Sequence, residues 1–368
     1  MRVSDVQSPA PALLPRRPYR CIDEEFRGLE LSAFERTDEP VVVNGTMATV
    51  GPAPCPFPPR AYDHRLLTGR SCVTALAVPS SLGVVVACGR GDAGWSDCET
   101  ASDIRKSALC ALGTLSIGSS ALDPEHPDVR PLRDCRRSLL TLARSAGDDD
   151  PLERSEAEGD LRSLALTTLA LAEWRALTWT VLAKAPGERA SARLVRRLST
   201  LPATAGECSV VDGERALDLA WTLLALHVAS LAEFSVDPAA VRIVAEALDR
   251  AVVAPGDESA TQALAVARAL FVAFHAPSAS RGDIRTALRP ALDIARTRPD
   301  RLQPASELTF LLSIAVMQIG GDDAREWDSL VLHPLAARTA AASVEEHALT
   351  AMCLTSYYRY VPRIAAAE

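Results

Sequence analysis

Six stretches of this chain have almost no polar face: Ser107–Gly118, Ser163–Trp174, Leu217–Ser230, Thr261–Phe274, Glu307–Ile319 and Glu346–Tyr358. Each is longer than an ordinary strand and is rich in alanine and leucine, which favour helix. A helix that is apolar on all sides must be buried on all sides. Aligned on Ala108, Ala165, Ala220, Ala263, Thr309 and Ala348, the stretches recur every ~40–57 residues, a period that marks repeat architectures.

Helices of a second kind lie between them. "DPAAVRIVAEALDRAV" is the clearest. Asp237 suits an N-cap, and Pro238 suits the first helical position, where a missing amide costs nothing. Val241, Val244, Ala245, Leu248, Ala251 and Val252 then share one face, with Arg242, Glu246 and Arg250 on the other. "DVRPLRDCRRSLLTLAR", "ERASARLVRRLST", "DIRTALRPALDIAR" and "DAREWDSLVLHPLAART" read the same way. Pro290 and Pro334 are expected to kink or shorten two of these helices. Buried helices alternating with half-wet ones imply two layers. Closing the hairpins into a ring buries the inner layer without ragged ends. An open solenoid of helix pairs has the same pattern.

Residues 1–60 differ. "SPAPALLPRRP" and "GPAPCPFPP" are rich in proline, which resists helix interiors. They read as an irregular arm, partly disordered at its start, with one extended run at Val41–Val43. Residues 61–368 form the helical repeat domain.

Composition narrows the function. The net charge is −8 over 368 residues, which speaks against nucleic acid as the main partner, because polyanions select basic surfaces. Nine cysteines occur with no C-x-x-C pair, so free thiols packed as small hydrophobes are expected, with neither a disulfide framework nor a zinc ribbon. The longest apolar run, Leu217–Ala232, is broken by Asp218, His227 and Ser230, and no transmembrane segment is expected. "MRVSDVQSPAPALLPRRPYR" has no apolar leader core, so a cytoplasmic setting is expected. His227, among apolar neighbours, reads as a core histidine with satisfied ring nitrogens.

"VVVACGRGDAG", residues 84–94, carries G-x-G-x-x-G after a β-branched run. A dinucleotide-binding turn also needs a following βαβ unit and an acid ~20 residues on. That distance falls in Thr114–Ser119, which has no acid. No cofactor is expected there, and the glycines read as tight backbone geometry before a first repeat.

The C-terminal "EHALTAMCLTSYYRYVP" resembles the last helix of bacterial proteins built on the squalene–hopene cyclase and prenyltransferase type of α/α toroid. Ala348, Leu349, Leu354, Tyr357, Tyr358, Arg359, Tyr360 and Pro362 fit that form. "LTFLLSIAVMQIGGDDAREWDSLVLHPL" is similar to the preceding hairpin, with Gly320-Gly321 as its turn and Trp327 on its outer helix. Trp221 stands where such repeats often carry tryptophan, and "GDAGW" is similar to the turn before an inner helix. The resemblance spans about residues 90–365. It implies an all-α fold, an α/α toroid of about six hairpins with inner apolar and outer amphipathic helices, behind the Pro-rich arm.

The active-site patterns of that family are not matched. The cyclases protonate substrate from an Asp-x-Asp-Asp run, whereas the only run of three aspartates here, Asp148-Asp149-Asp150, lies in the polar connector "AGDDDPLERSEAEGD". The prenyltransferases hold zinc with Asp, Cys and His. Asp218, His227, Cys208, His347 and Cys353 are of the right types but not the right spacing, and no metal is expected. The resemblance implies His227, Trp221, His347, Tyr357 and Tyr360 as residues lining a central cavity. The reading that follows is a non-catalytic scaffold or binding module, whose partner is a protein or a hydrophobic small molecule. The alternative is an enzyme acting on an isoprenoid-like substrate in that cavity. A solenoid binding peptides along a concave face is a third, lesser reading.

Overall fold

The computed structural model describes residues 40–43, 46–49, 101–115, 139–143, 161–178, 181–200, 209–276, 278–299, 306–319, 323, 326–327, 330 and 343–359. These residues are mostly helical, as the alanine–leucine periodicity requires. The stretch 84–94, the triplet 148–150, Pro334 and Tyr360 lie outside them, as does most of the arm.

Within residues 1–60 the described residues are two short strands. β1 (Pro40–Val43) pairs antiparallel with β2 (Thr46–Thr49), which matches the extended run at Val41–Val43.

The longer helices among the described residues are α1 (Ala101–Leu115), α2 (Leu161–Thr178), α3 (Lys184–Ser199), α4 (Gly213–Leu231), α5 (Pro238–Arg250), α6 (Glu258–His275), α7 (Arg281–Thr297), α8 (Glu307–Ile319) and α9 (Val344–Arg359). Their starts have local causes. Asp212, Asp237 and Asp257 accept hydrogen bonds from backbone amides at the first turns of α4, α5 and α6. Ser280 and Asp283 form a reciprocal capping box on α7. Ser306 and Ser343 take amides at the starts of α8 and α9. Each cap satisfies an amide that the helix itself cannot.

The two kinds of helix are distinct. α2, α4, α6 and α8 bury residues around most of their circumference; α8 is buried from Thr309 to Ile319 without a break. α5 buries only Ala240, Val244 and Leu248, while Arg242 and Glu246 are exposed. Val252, placed on the same apolar face from the sequence, is exposed instead. The helix ends at Arg250, and Ala251–Val252 form β4, which pairs in parallel with β3 (Ser209–Val210). The change to extended backbone breaks the helical register and turns Val252 outward. Pro290 does not shorten α7, which runs through it from Arg281 to Thr297.

Six of these helices make a closed circuit of neighbours. α1 packs on α2, α2 on α4, α4 on α6, α6 on α8, α8 on α9, and α9 back on α1. α3 lies against α2, α5 against α3, α4 and α6, and α7 against α6 and α8. The contact between the first and last members is close. A Cβ at Gly113 of α1 would lie 3.0 Å from both Cα and Cβ of Ala348 on α9, so glycine sets that approach. α4 also touches α8. Trp327 is buried on α8, its indole N–H donating to Ser313 Oγ at 2.9 Å. Arg296 of α7 bonds Asp323 and Glu326 and so ties the same segment to α7.

Candidate functional site

Two clusters of polar side chains interrupt the apolar interior, one at each end of α4. The first is built on the opening turns of α2, α4 and α8. Arg162, buried near the start of α2, donates from Nε to Asp218 Oδ1 at 2.8 Å and from Nη2 to the Glu214 carbonyl at 2.8 Å. It also pairs with the Glu214 carboxylate at 2.8 Å and approaches Glu307 of α8 at 3.6 Å. The indole N–H of Trp221 donates to Glu307 Oε2 at 2.6 Å. Its ring stacks on Phe310 with centroids 5.3 Å apart.

Burial opposes the charge on Arg162. The carboxylates of Glu307, Asp218 and Glu214 outweigh that cost and hold its pKa above the usual arginine value. One guanidinium thus links three helices, and two aromatic rings fill the space between α4 and α8. A general acid must present a proton to substrate. Here Glu307 Oε2 accepts from Trp221 and faces Arg162, and Asp218 Oδ1 accepts from Arg162, so both oxygens are engaged within the protein.

The second cluster lies toward the C-terminal ends of α4 and α6. His227 stacks on Phe274 with centroids 4.5 Å apart. It meets His275 edge-on at 5.8 Å, and His275 in turn stacks on Phe271 at 6.3 Å. His275 Nε2 lies 3.0 Å from the Leu223 carbonyl. A carbonyl only accepts, so this nitrogen carries the proton. His227 Nε2 is buried with no hydrogen-bond partner, which corrects the expectation of satisfied ring nitrogens.

Burial, reinforced by repulsion from His275, pushes the His227 pKa down to about 3. Burial also lowers that of His275, against the opposing pull of its bond to Leu223. The sign for stability follows. Above the ordinary imidazole value both folded and unfolded chains hold His227 neutral. As pH falls below ~6.5 the unfolded chain takes the proton first, and folding loses about 1.4 kcal/mol per pH unit until the folded value is reached. His227→Phe keeps a stacking ring and removes the titration. Urea unfolding from pH 7 to pH 4 in chelator-containing buffer is expected to show the parent losing about 3 kcal/mol more than the variant. Parallel curves would contradict this.

The structure therefore separates the residues singled out from the sequence. Trp221 belongs to the first cluster and His227 to the second. His347 is half-buried in the first turns of α9, its amide bonded to the Ser343 carbonyl. Tyr357 lies within α9. Of the five residues of metal-ligating type, Asp218 is engaged by Arg162. His227 stands nine residues further along the same helix, about 13 Å at helical rise. Cys353 is buried on α9, as is Cys110 on α1, while Cys208 lies outside the described residues. Among the described residues no group of three or more His, Cys, Asp or Glu side chains could hold a metal ion, and no helix is long and apolar enough to cross a membrane.

Arg162, Glu307 and His275 were not singled out from the sequence. The signal was a charge at the first turn of an apolar stretch, and for His275 a polar residue at its last. No family model, curated protein or solved structure matches this chain.

Proposed function

We propose that the chain is a non-catalytic binding module built as an α/α toroid. In this reading the circuit α1–α2–α4–α6–α8–α9 is the inner layer, and α3, α5 and α7 belong to the outer one. Support comes from the return of α9 onto α1 and from the one-sided burial of α5. The observation that carries the non-catalytic reading is the Arg162 cluster. Asp218 Oδ1 and Glu307 Oε2 are engaged by Arg162 and Trp221, and the rings of Trp221 and Phe310 stack between α4 and α8. Binding then falls to the outer surface, and a protein is the partner best suited to it.

The test uses the purified 368-residue chain. It is incubated with isoprenoid diphosphates and with a linear triterpene, and the products are extracted and profiled. The expected result is recovery of every substrate unchanged and no co-purified isoprenoid. A product that forms with the parent and is lost with Glu307→Gln would overturn the reading and favour an enzyme.

A further inference from the structure

From the way α6 ends, we propose that its last turn, Phe271–His275, is an acid-released latch, docked on α4 while His227 and His275 are neutral and unwound when they take protons. The burial pattern sets this turn apart. From Ala260 to Leu270 the helix is buried except at Thr261 and Arg268, whereas every residue from Phe271 to Ala276 is half-buried. At Ala276 the backbone becomes extended. A terminal turn with few buried contacts opens at a lower free energy than the interior of its helix.

The docking of this turn converges on two imidazoles. Phe274 stacks on His227 with centroids 4.5 Å apart, and His275 meets the same ring edge-on at 5.8 Å. His275 Nε2 donates to the Leu223 carbonyl at 3.0 Å. His227 Nε2 is buried without a partner, so a proton placed there in the docked turn would have no acceptor, and a second proton on His275 would set two cations side by side. Unwinding takes Phe274 and His275 away from His227 and opens both imidazoles to water. The charged side chains toward this end of the neighbouring elements are Glu173 and Arg175 of α2, Glu233 after α4, Arg242 of α5, and Arg281 and Asp283 of α7. None of them sets the basicity of the pair. Burial and repulsion from His275 lower that of His227, and burial lowers that of His275 against its bond to Leu223. Below pH ~6.5 the open turn therefore takes protons that the docked turn refuses. For His227 alone, the opening constant rises about 25-fold between pH 7 and pH 5.

Hydrogen exchange of the 368-residue chain, read by mass spectrometry at pH 7 and pH 5 and divided by intrinsic rates, tests the latch. Protection of the amides of Phe271–His275 is expected to fall about 25-fold or more, and at pH 5 to stand at least tenfold below that of Ala263–Leu270 in the same helix. His227→Phe keeps a stacking ring and should shrink the fall at least tenfold; His227→Leu serves the same purpose if that variant does not fold. Three results would overturn the latch: exchange of the last turn in step with Ala263–Leu270 at both pH values, protection that does not change with pH, or a fall that persists in full in a folded His227 variant.

Discussion

Replacing Arg162 by methionine is expected to lower the unfolding free energy by about 3–5 kcal/mol, the usual cost of removing one partner from a buried ion pair. The side chain is only 5% exposed and serves acceptors on two other helices. Methionine fills similar volume, so lost packing is a small part of the effect. The cost arises because Asp218 and Glu307, both largely buried, lose their cation. Lysine should rescue little, since a single ammonium cannot reproduce the guanidinium fork. Urea unfolding of the purified variants gives the number directly. A loss under about 1 kcal/mol would place the cluster among solvent-screened ion pairs.

Trp221→Ala is expected to cost a similar amount, about 3–5 kcal/mol for a large aromatic removed from a packed interior. The indole is fully buried, stacks on Phe310 and donates to Glu307. Trp221→Phe separates the two contributions. It keeps most of the apolar contact and loses only the hydrogen bond, for about 1–3 kcal/mol. Because Arg162 and Trp221 both meet Glu307, the double variant should cost clearly less than the sum. Additive costs would mean that the indole and the guanidinium act independently.

Much of the fold could be read from the chain because burial on all sides leaves a compositional trace. Glu307–Ile319 was delimited correctly, and Asp237 and Pro238 fixed the start of α5. What could not be read depended on partners distant in sequence. Arg162 stands next to an apolar stretch, and nothing local shows that its acceptors lie 52 to 145 residues away, at Glu214, Asp218 and Glu307. His227 looked like a core residue because its neighbours are apolar. Whether its nitrogens are satisfied depends on partners that other helices supply, and its Nε2 has none. Val252 was misplaced because helical periodicity was carried past Arg250, where the backbone becomes extended.

The central structural claim is that the circuit of six helices closes, with α9 against α1. A double-mutant cycle on Gly113 and Ala348 tests it most directly. Gly113→Ala should cost about 1–3 kcal/mol as an overpacked contact, despite alanine's better helix propensity. Ala348→Gly should cost about 1 kcal/mol on its own. If the two helices meet, removing the Ala348 Cβ makes room for the new one, and the double variant is more stable than the sum predicts by about 1 kcal/mol or more. Costs that add to within about 0.5 kcal/mol would mean that α1 and α9 do not touch there, and would contradict the closed circuit.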